Sequence, residues 1–349
     1  MIRQLARLTR QIPAGLAISV YANDEDLAIA ARDRGFEGVA CVDDAARAVV
    51  LLLDLYREAS DRRIAEWASG LLDFVLYMGL EDGRFHNFIR DWTGTINRDG
   101  PTSYPGATFW QARAVRALAK AHLVLRDDRV AKPLARGFAF ATEHDAPPDV
   151  RSVYVLGAFD LMRGGLTPVV RETLERWCEE IADARDGDII VNVPGEKTPH
   201  LWGHVQEGVL AEAALILDRP DFLAIARRSA ELFLVPKIER AFPDHTVQPY
   251  GVAAAVYVMD RLHQATGDPR YARLREDARA WFDGRNSANV AMYDRMNGRV
   301  ADGIDDGRPN PHSGAESNIV AAQALLPEIA ARAPFLLDEV AGRLEVVAT

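Results

Sequence analysis

Two adjacent acids, Asp43 and Asp44, with Arg47 one turn further on, open the run 42–55, which is apolar almost all the way round. A helix apolar on every face is a buried helix. Two carboxylates therefore stand at the mouth of an inner helix. Two more acids sit at the starts of similar apolar runs: Glu207 in Trp-Gly-His-Val-Gln-Glu-Gly over 202–208, and Glu316 in His-Ser-Gly-Ala-Glu-Ser-Asn over 312–318. Glycoside hydrolysis needs two carboxyl groups flanking the scissile bond, one as acid and one as base or nucleophile. Asp43 or Asp44 is expected as base or nucleophile, because pairing with Arg47 lowers a carboxyl pKa. Glu207, read as facing apolar surroundings, is the expected general acid, and Glu316 is a further catalytic candidate. The flat faces of Trp92, Trp110, Trp202 and Tyr250 suit the apolar side of a sugar ring. Arg47, His86, Gln111, His204 and His312 are the expected polar contacts to sugar hydroxyls. Glu37, Asp91, Asp302, Asp305 and Asp306 add acid to the same rim.

Each acid has a structural alternative. One of Asp43 and Asp44 can serve as a helix N-cap. Ser313 to Glu316 fits a capping box. Glu207 can form an ion pair or hydrogen bond between inner helices. Cys41, beside the acid pair, reads as a small buried apolar residue. Paired histidines among His200, His204, His245 and His312 support a rival chemistry, sugar epimerisation or isomerisation by proton transfer. A non-catalytic carbohydrate-binding domain is the third reading. No metal or cofactor is expected. His200 and His204 are four apart, but Leu201 stands where a zinc-protease pattern needs Glu. The loop 302–307 has Ile304 at a calcium-ligand position. There is no phosphate-cradling glycine loop, Gly-x-Ser-x-Gly elbow or Cys-x-x-Cys pair.

The elements that position these residues read as helices in pairs: 44–58 with 61–78, 109–126 with 129–143, 150–163 with 168–185, 202–217 with 221–235, 247–266 with 269–283, and 314–326 with 328–346. The first of each pair is mostly apolar and alanine-rich, as over 252–259. The second is amphipathic: over 168–185, Val170, Leu174, Trp177, Cys178 and Ile181 share one face and charged residues cover the other. Connectors within pairs are short, with Thr167 and Asp268 as N-caps before proline. Connectors between pairs are mostly long, 79–108, 186–201, 236–246 and 285–313, and share an end with the inner-helix N-termini, where loops build sites. Short strands are expected within 83–90 and 188–193. Residues 1–40 read as irregular, with a short helix near 24–34. The expected fold is all-α, a single (α/α)6 toroid domain over 1–349, its six helical hairpins decorated by short β-hairpins in the rim loops. A stacked solenoid is the weaker alternative, since the pairs share no fixed period. Trp67, Trp177 and Trp281 fall on outer helices and read as core.

Composition narrows the partners. The chain has 349 residues, 48% of them apolar, and a net charge of −10. No basic stretch interleaved with aromatics suggests nucleic acid. No apolar run is long enough to span a membrane, and the basic N-terminus lacks a following signal-peptide core. With only Cys41 and Cys178, a reducing compartment, the cytoplasm, is expected.

Four blocks recur in order: 42–48 (Val-Asp-Asp-Ala-Ala-Arg-Ala), 82–88 (Asp-Gly-Arg-Phe-His-Asn-Phe), 281–286 (Trp-Phe-Asp-Gly-Arg-Asn) and 312–318. Together they resemble the helical domain at the C-terminus of some bacterial glycosyltransferases encoded near mannoside phosphorylases. More broadly, the chain resembles the six-hairpin glycosidase superfamily from about Gly38 onward. The resemblance does not extend to the glycosyltransferase part, so the activity of that part is not implied. The resemblance implies a toroid with a carbohydrate-facing cleft, a carbohydrate substrate, and a separate glycosyltransferase as partner for the non-catalytic reading.

Overall fold

The computed structural model describes residues 1–23, 28–29, 38–165 and 167–348. The chain opens with helix α1 (Ile2–Leu8) and strands β1 (Thr9–Ile12), β2 (Gly15–Ile18), β3 (Tyr21–Ala22), β4 (Ala28–Ile29) and β5 (Ala40–Cys41). Helices then dominate: α2 (Val42–Ala59), α3 (Arg62–Tyr77), α4 (Phe109–Val124), α5 (Ala131–Glu143), α6 (Pro148–Arg163) and α7 (Thr167–Asp183), with β6 (Phe88–Ile89) between α3 and α4. There follow β7 (Arg185–Asp186), β8 (Ile189–Ile190), α8 (Gln206–Leu217), α9 (Pro220–Leu232), α10 (Leu234–Glu239) and β9 (Thr246–Val247). The last part holds α11 (Pro249–Thr266), α12 (Pro269–Arg279), β10 (Tyr293–Asp294), β11 (Arg299–Val300), β12 (Gly303–Asp305), β13 (Arg308–Asn310), α13 (Ala315–Ala324) and α14 (Leu326–Ala348).

The chain divides into two compact units. The first comprises Met1–Asp145, Asp294–Ala301 and Pro311–Thr349. It holds the hairpins α2–α3, α4–α5 and α13–α14. Helix α2 packs against α3, α4, α13 and α14. Its sequence permits this, because Ala45, Ala46, Ala48, Val49, Leu51, Leu52 and Leu53 bury side chains on every face. Hairpin β1–β2 lies on α3, where Leu16 covers Gly70. Strand β5 pairs with β6, Cys41 opposite Phe88, and so brings the long 79–108 loop to the start of α2.

The second unit comprises Ala146–Tyr293 and Asp302–Asn310. It holds the hairpins α6–α7, α8–α9 and α11–α12, with α8 against α6, α7, α9 and α11. Strands β7 and β8 form a hairpin, and β9, β12 and β13 a three-stranded sheet.

Helix starts follow local chemistry. Asp61 caps α3 by accepting from the Arg63 amide, and Asp268 caps α12 by accepting from Arg270, with Pro269 at the first helical position. The inner helices α4, α6, α8, α11 and α13 begin without a side-chain cap. Trp67, Trp177 and Trp281 are buried, as their outer-helix positions require.

Some expectations need correction. The first 40 residues are not simply irregular, since α1 and two short hairpins form there. Most of the helix expected over 24–34, and Glu37, lie outside the described residues; Ala28 and Ile29 are extended and pair with β3. The Thr167 cap also falls on side chains outside the described set. Helix 202–217 starts only at Gln206, and the 221–235 helix breaks near Phe233 into α9 and α10. No single described helix is long and apolar enough to cross a membrane.

Candidate active site

In the first unit the starts of α2, α4 and α13 meet in one polar cluster. Asp43 and Asp44 lie in the first turn of α2. Neither is its cap: Cys41 is, its sulfur accepting the Asp44 amide at 3.4 Å. The preceding amides are satisfied by the 79–108 loop, Val42 donating to the Asn87 carbonyl at 2.8 Å and Asp43 to Asn87 Oδ1 at 3.1 Å. Both aspartate carboxylates are thereby left for side-chain partners rather than for the helix start. Arg47 donates to Asp44 Oδ1 at 3.0 Å, lies 3.3 Å from Asp43 Oδ2, and bonds Glu316 from α13. Arg113 from α4 donates to both oxygens of Asp43 and stacks over the Phe109 ring at 4.6 Å. The capping box expected at Ser313–Glu316 does not form. Gly314 caps α13, Ser313 Oγ accepts from Asn318 at 2.9 Å, and the Glu316 carboxylate turns to Arg47 instead.

The cluster separates its acids electrostatically. Burial raises the Asp43 pKa, but Arg113 and Arg47 outweigh it and hold the carboxyl below the usual range. Asp44 goes the other way: burial, with the charges of Glu316 and Asp43, overcomes Arg47 and pushes it up to about 7. The expectation that Arg47 depresses either acid thus holds for Asp43 and fails for Asp44, whose side chain is only 4% exposed. Asp43 and Glu316 are more open, at 21% and 30%. Two neighbouring carboxyls with opposed shifts are the arrangement that assigns an acid and a base. Arg47 itself, expected to bind substrate, is nearly buried and committed to three carboxylates, so it orients the acids.

The loop before α4 is fastened by residues expected to bind sugar. Gln111 is fully buried; it accepts from the Phe85 amide at 3.0 Å and donates to Gly83 at 2.8 Å, so no polar atom is left for a substrate. Trp110 donates to the Phe85 carbonyl at 3.1 Å and is half-buried. His86 is buried, and that burial keeps its pKa below the ordinary value. One face of Trp92 carries the Arg10 guanidinium at 4.9 Å. Asp91 is taken up by its own turn, accepting from Thr93 and Thr95. Asn87 and Ser103 were not among the expected site residues. Ser103 Oγ accepts the Phe88 amide at 2.9 Å and donates to Asn97 at 2.6 Å, which fixes Asn87 against α2.

In the second unit, Glu207 does not face an apolar pocket. It and His204 are fully buried and hydrogen-bonded together, with His204 Nε2 at 2.9 Å and 3.0 Å from the two carboxylate oxygens. Ser229 of α9 donates to Glu207 at 2.6 Å, Asn192 Oδ1 meets His204 Nδ1 at 3.2 Å, and Phe233 packs edge-on to the imidazole. A carboxylate so enclosed joins α8 to α9 and to the β8 segment and offers no oxygen at the surface. Trp202 is half-buried, its ring centroid 5.6 Å from His200 and 6.3 Å from Tyr250, which stands edge-on. His312, in the first unit, is half-buried. Asp305 and Asp306 project from the β12–β13 hairpin, Asp306 3.3 Å from His245. Among the described residues, no group of three or more His, Cys, Asp or Glu is arranged to hold a metal ion.

No protein-family model and no curated protein matches the chain. Solved structures do. A sugar epimerase from a ruminal bacterium has a TM-score of 0.69 at 12% identity, covering 94% of this chain and 95% of its own. Cellobiose 2-epimerase from Spirochaeta thermophila has a TM-score of 0.69 at 14% identity, covering 91% of each. A family 76 glycoside hydrolase from a bovine Bacteroides thetaiotaomicron strain has a TM-score of 0.65 at 9% identity, covering 93% of this chain and 76% of its own. The fold is therefore all-α, of the (α/α)6 class that these structures share.

Proposed function

We propose that the protein is a carbohydrate-active enzyme, a glycoside hydrolase that cleaves a neutral oligosaccharide by paired-carboxylate catalysis in the cytoplasm. The observation that carries the reading is the convergence of Asp43, Asp44 and Glu316 on one arginine at the meeting of three inner-helix starts; burial raising Asp44 while Arg113 and Arg47 hold Asp43 low supports it. Asp44, protonated near neutrality, supplies the proton to the glycosidic oxygen. Glu316, the most open acid of the cluster, activates water or attacks the sugar. Asp43 stays ionised between Arg47 and Arg113. With Asp44 protonated, two carboxylates balance two guanidiniums, which favours an uncharged substrate. Glu207 moves from general acid to a buried brace. The fold class supports the reading, since it includes proteins named as glycoside hydrolases. Two free, buried cysteines agree with a reducing compartment.

A second reading, sugar epimerisation or isomerisation, is favoured by one observation. Structures named as sugar epimerases share the fold; His204 itself is fully buried with both ring nitrogens engaged, so the half-buried His200 and His312 are the candidates for proton transfer. A screen on manno-, gluco- and galacto-configured oligosaccharides, with chromatographic product analysis, separates the readings. Cleavage by the parent and its loss in Asp44→Asn and Glu316→Gln is the expected result. A product of unchanged mass, lost in His200→Asn or His312→Asn, would replace the hydrolase by the epimerase. Binding without turnover would leave a carbohydrate-binding domain that serves a separate glycosyltransferase, as the resemblance of the sequence blocks suggests.

A further inference from the structure

Helix N-caps favour Ser, Thr, Asp and Asn, whose oxygens accept a first-turn amide. Helix α2 instead begins on Cys41. The sulfur is 3.4 Å from the Asp44 amide nitrogen and also 3.4 Å from Asp44 Oδ2. The same atom thus touches both the backbone amide and the carboxyl of one residue. Phe88, Val20 and Tyr21 pack around the thiol. Burial, and then the charges of Asp44 and Asp43, hold the thiol pKa well above its ordinary value, so it stays S–H and acts as the donor to Oδ2.

We infer that Cys41 is a positioning residue for Asp44: its thiol fixes the carboxyl with a hydrogen bond that favours the ionised form only weakly. A serine hydroxyl at the same cap would donate a charge-assisted O–H bond, which is short and strong and stabilises a carboxylate. A thiol is a poor donor and gives little of that stabilisation. The other groups facing Asp44 are Asp43 and Arg47 on α2 and Glu316 on α13, with Arg113 of α4 acting through Asp43. Of these only Arg47 favours ionisation, and it shares its charge among three acids. The sulfur cap therefore preserves an imbalance that a conventional cap would reduce. The inference rests on the reading of Asp44 as the acid for its consequence in turnover, but not for its test.

The test is a pH titration of the Asp44 carboxyl carbon by NMR in the parent, Cys41→Ser and Cys41→Ala. Serine is a favoured cap, so Cys41→Ser keeps the start of α2, and near-UV circular dichroism verifies its fold. The expected result is an Asp44 midpoint lower by about one unit in Cys41→Ser and slightly higher in Cys41→Ala. A Cys41→Ser midpoint unchanged or raised in a folded protein overturns the inference. If the midpoint falls and the acid limb of a pH–rate profile falls with it, Cys41 and the catalytic reading are both supported. If it falls in a protein that turns over no oligosaccharide, the Cys41 inference stands and the hydrolase reading alone fails.

Discussion

Arg47 of α2 and Glu316 of α13, 269 residues apart in the chain, are joined by a salt bridge in which the same guanidinium also holds Asp44. Removing that cation leaves three neighbouring acids with Arg113 alone to offset them. Arg47→Met is expected to lower stability by about 3–5 kcal/mol, read as the shift in a urea midpoint at constant slope. Lysine should not rescue it, because a point charge cannot serve three carboxylates in a fixed fork. Adding Glu316→Gln should recover part of the loss, the sign of a direct coupling.

Asp44 makes stability fall as pH rises. Its folded pKa, about 7, is above the ordinary 3.8, so between these values the folded state holds more protons than the unfolded one. The contribution is fully present below 3.8 and is lost as pH rises through 7. Asp43 has the opposite sign: its depressed pKa stabilises the fold above 3.8, and that part is lost as the acid protonates at low pH. Asp44→Asn mimics the protonated acid. It should therefore be more stable than the parent at pH 8, by roughly a few kcal/mol, and gain nothing near pH 4. Melting temperatures across that range check the crossing; an equal offset at both ends would refute it.

Glu207 tests brace against catalyst. Ser229→Ala removes the donor at 2.6 Å from a fully buried carboxylate and should cost about 1–3 kcal/mol. Glu207→Gln should destabilise comparably. If Glu207 is a brace, turnover per folded molecule stays near the parent value in both. A hundredfold fall in kcat without a change in melting temperature would restore the glutamate as a catalytic group.

Gly83 controls the loop that carries Asn87. Its φ is +87°, and a Cβ there would come within 2.4 Å of the Arg136 backbone. Gly83→Ala is expected to cost about 3 kcal/mol or more, through strain plus loss of the seat for Gln111. Proteolysis within 79–108 should accelerate in parallel with the fall in melting temperature.

The helical plan was legible because burial writes a one-dimensional pattern. Helix α11 is apolar over 252–259, while α7 alternates Leu174, Trp177 and Ile181 with charges, and the inner or outer role of each follows. The acids at the starts of α2 and α13 were legible for the same reason. Their partners were not. Arg113 reaches Asp43 over 70 residues, a distance set by helix packing that no local spacing encodes. At Glu316 the local motif misled, because a capping box competes with Arg47 and the charged partner wins. Glu207 looked apolar because Ser229 sits on the inward face of an amphipathic helix, one hydroxyl among hydrophobic neighbours. Asn87 and Ser103 belong to a loop, where no periodicity marks a buried residue.

The contrast between aspartate-capped and uncapped helix starts has a kinetic consequence. The amides of Arg63 and Arg270 are held by Asp61 and Asp268, whereas the first turns of α4 and α13 have no such side-chain acceptor. Amide deuterium uptake should accordingly be slower at Arg63 and Arg270 than in the first turn of α4; α13 is already held at its start, Ala315 donating to the Val20 carbonyl at 3.0 Å. A ligand whose hydroxyl oxygens accept from the first turn of α4 would slow its uptake selectively, so exchange rates alone would show where a sugar rests before any product is formed.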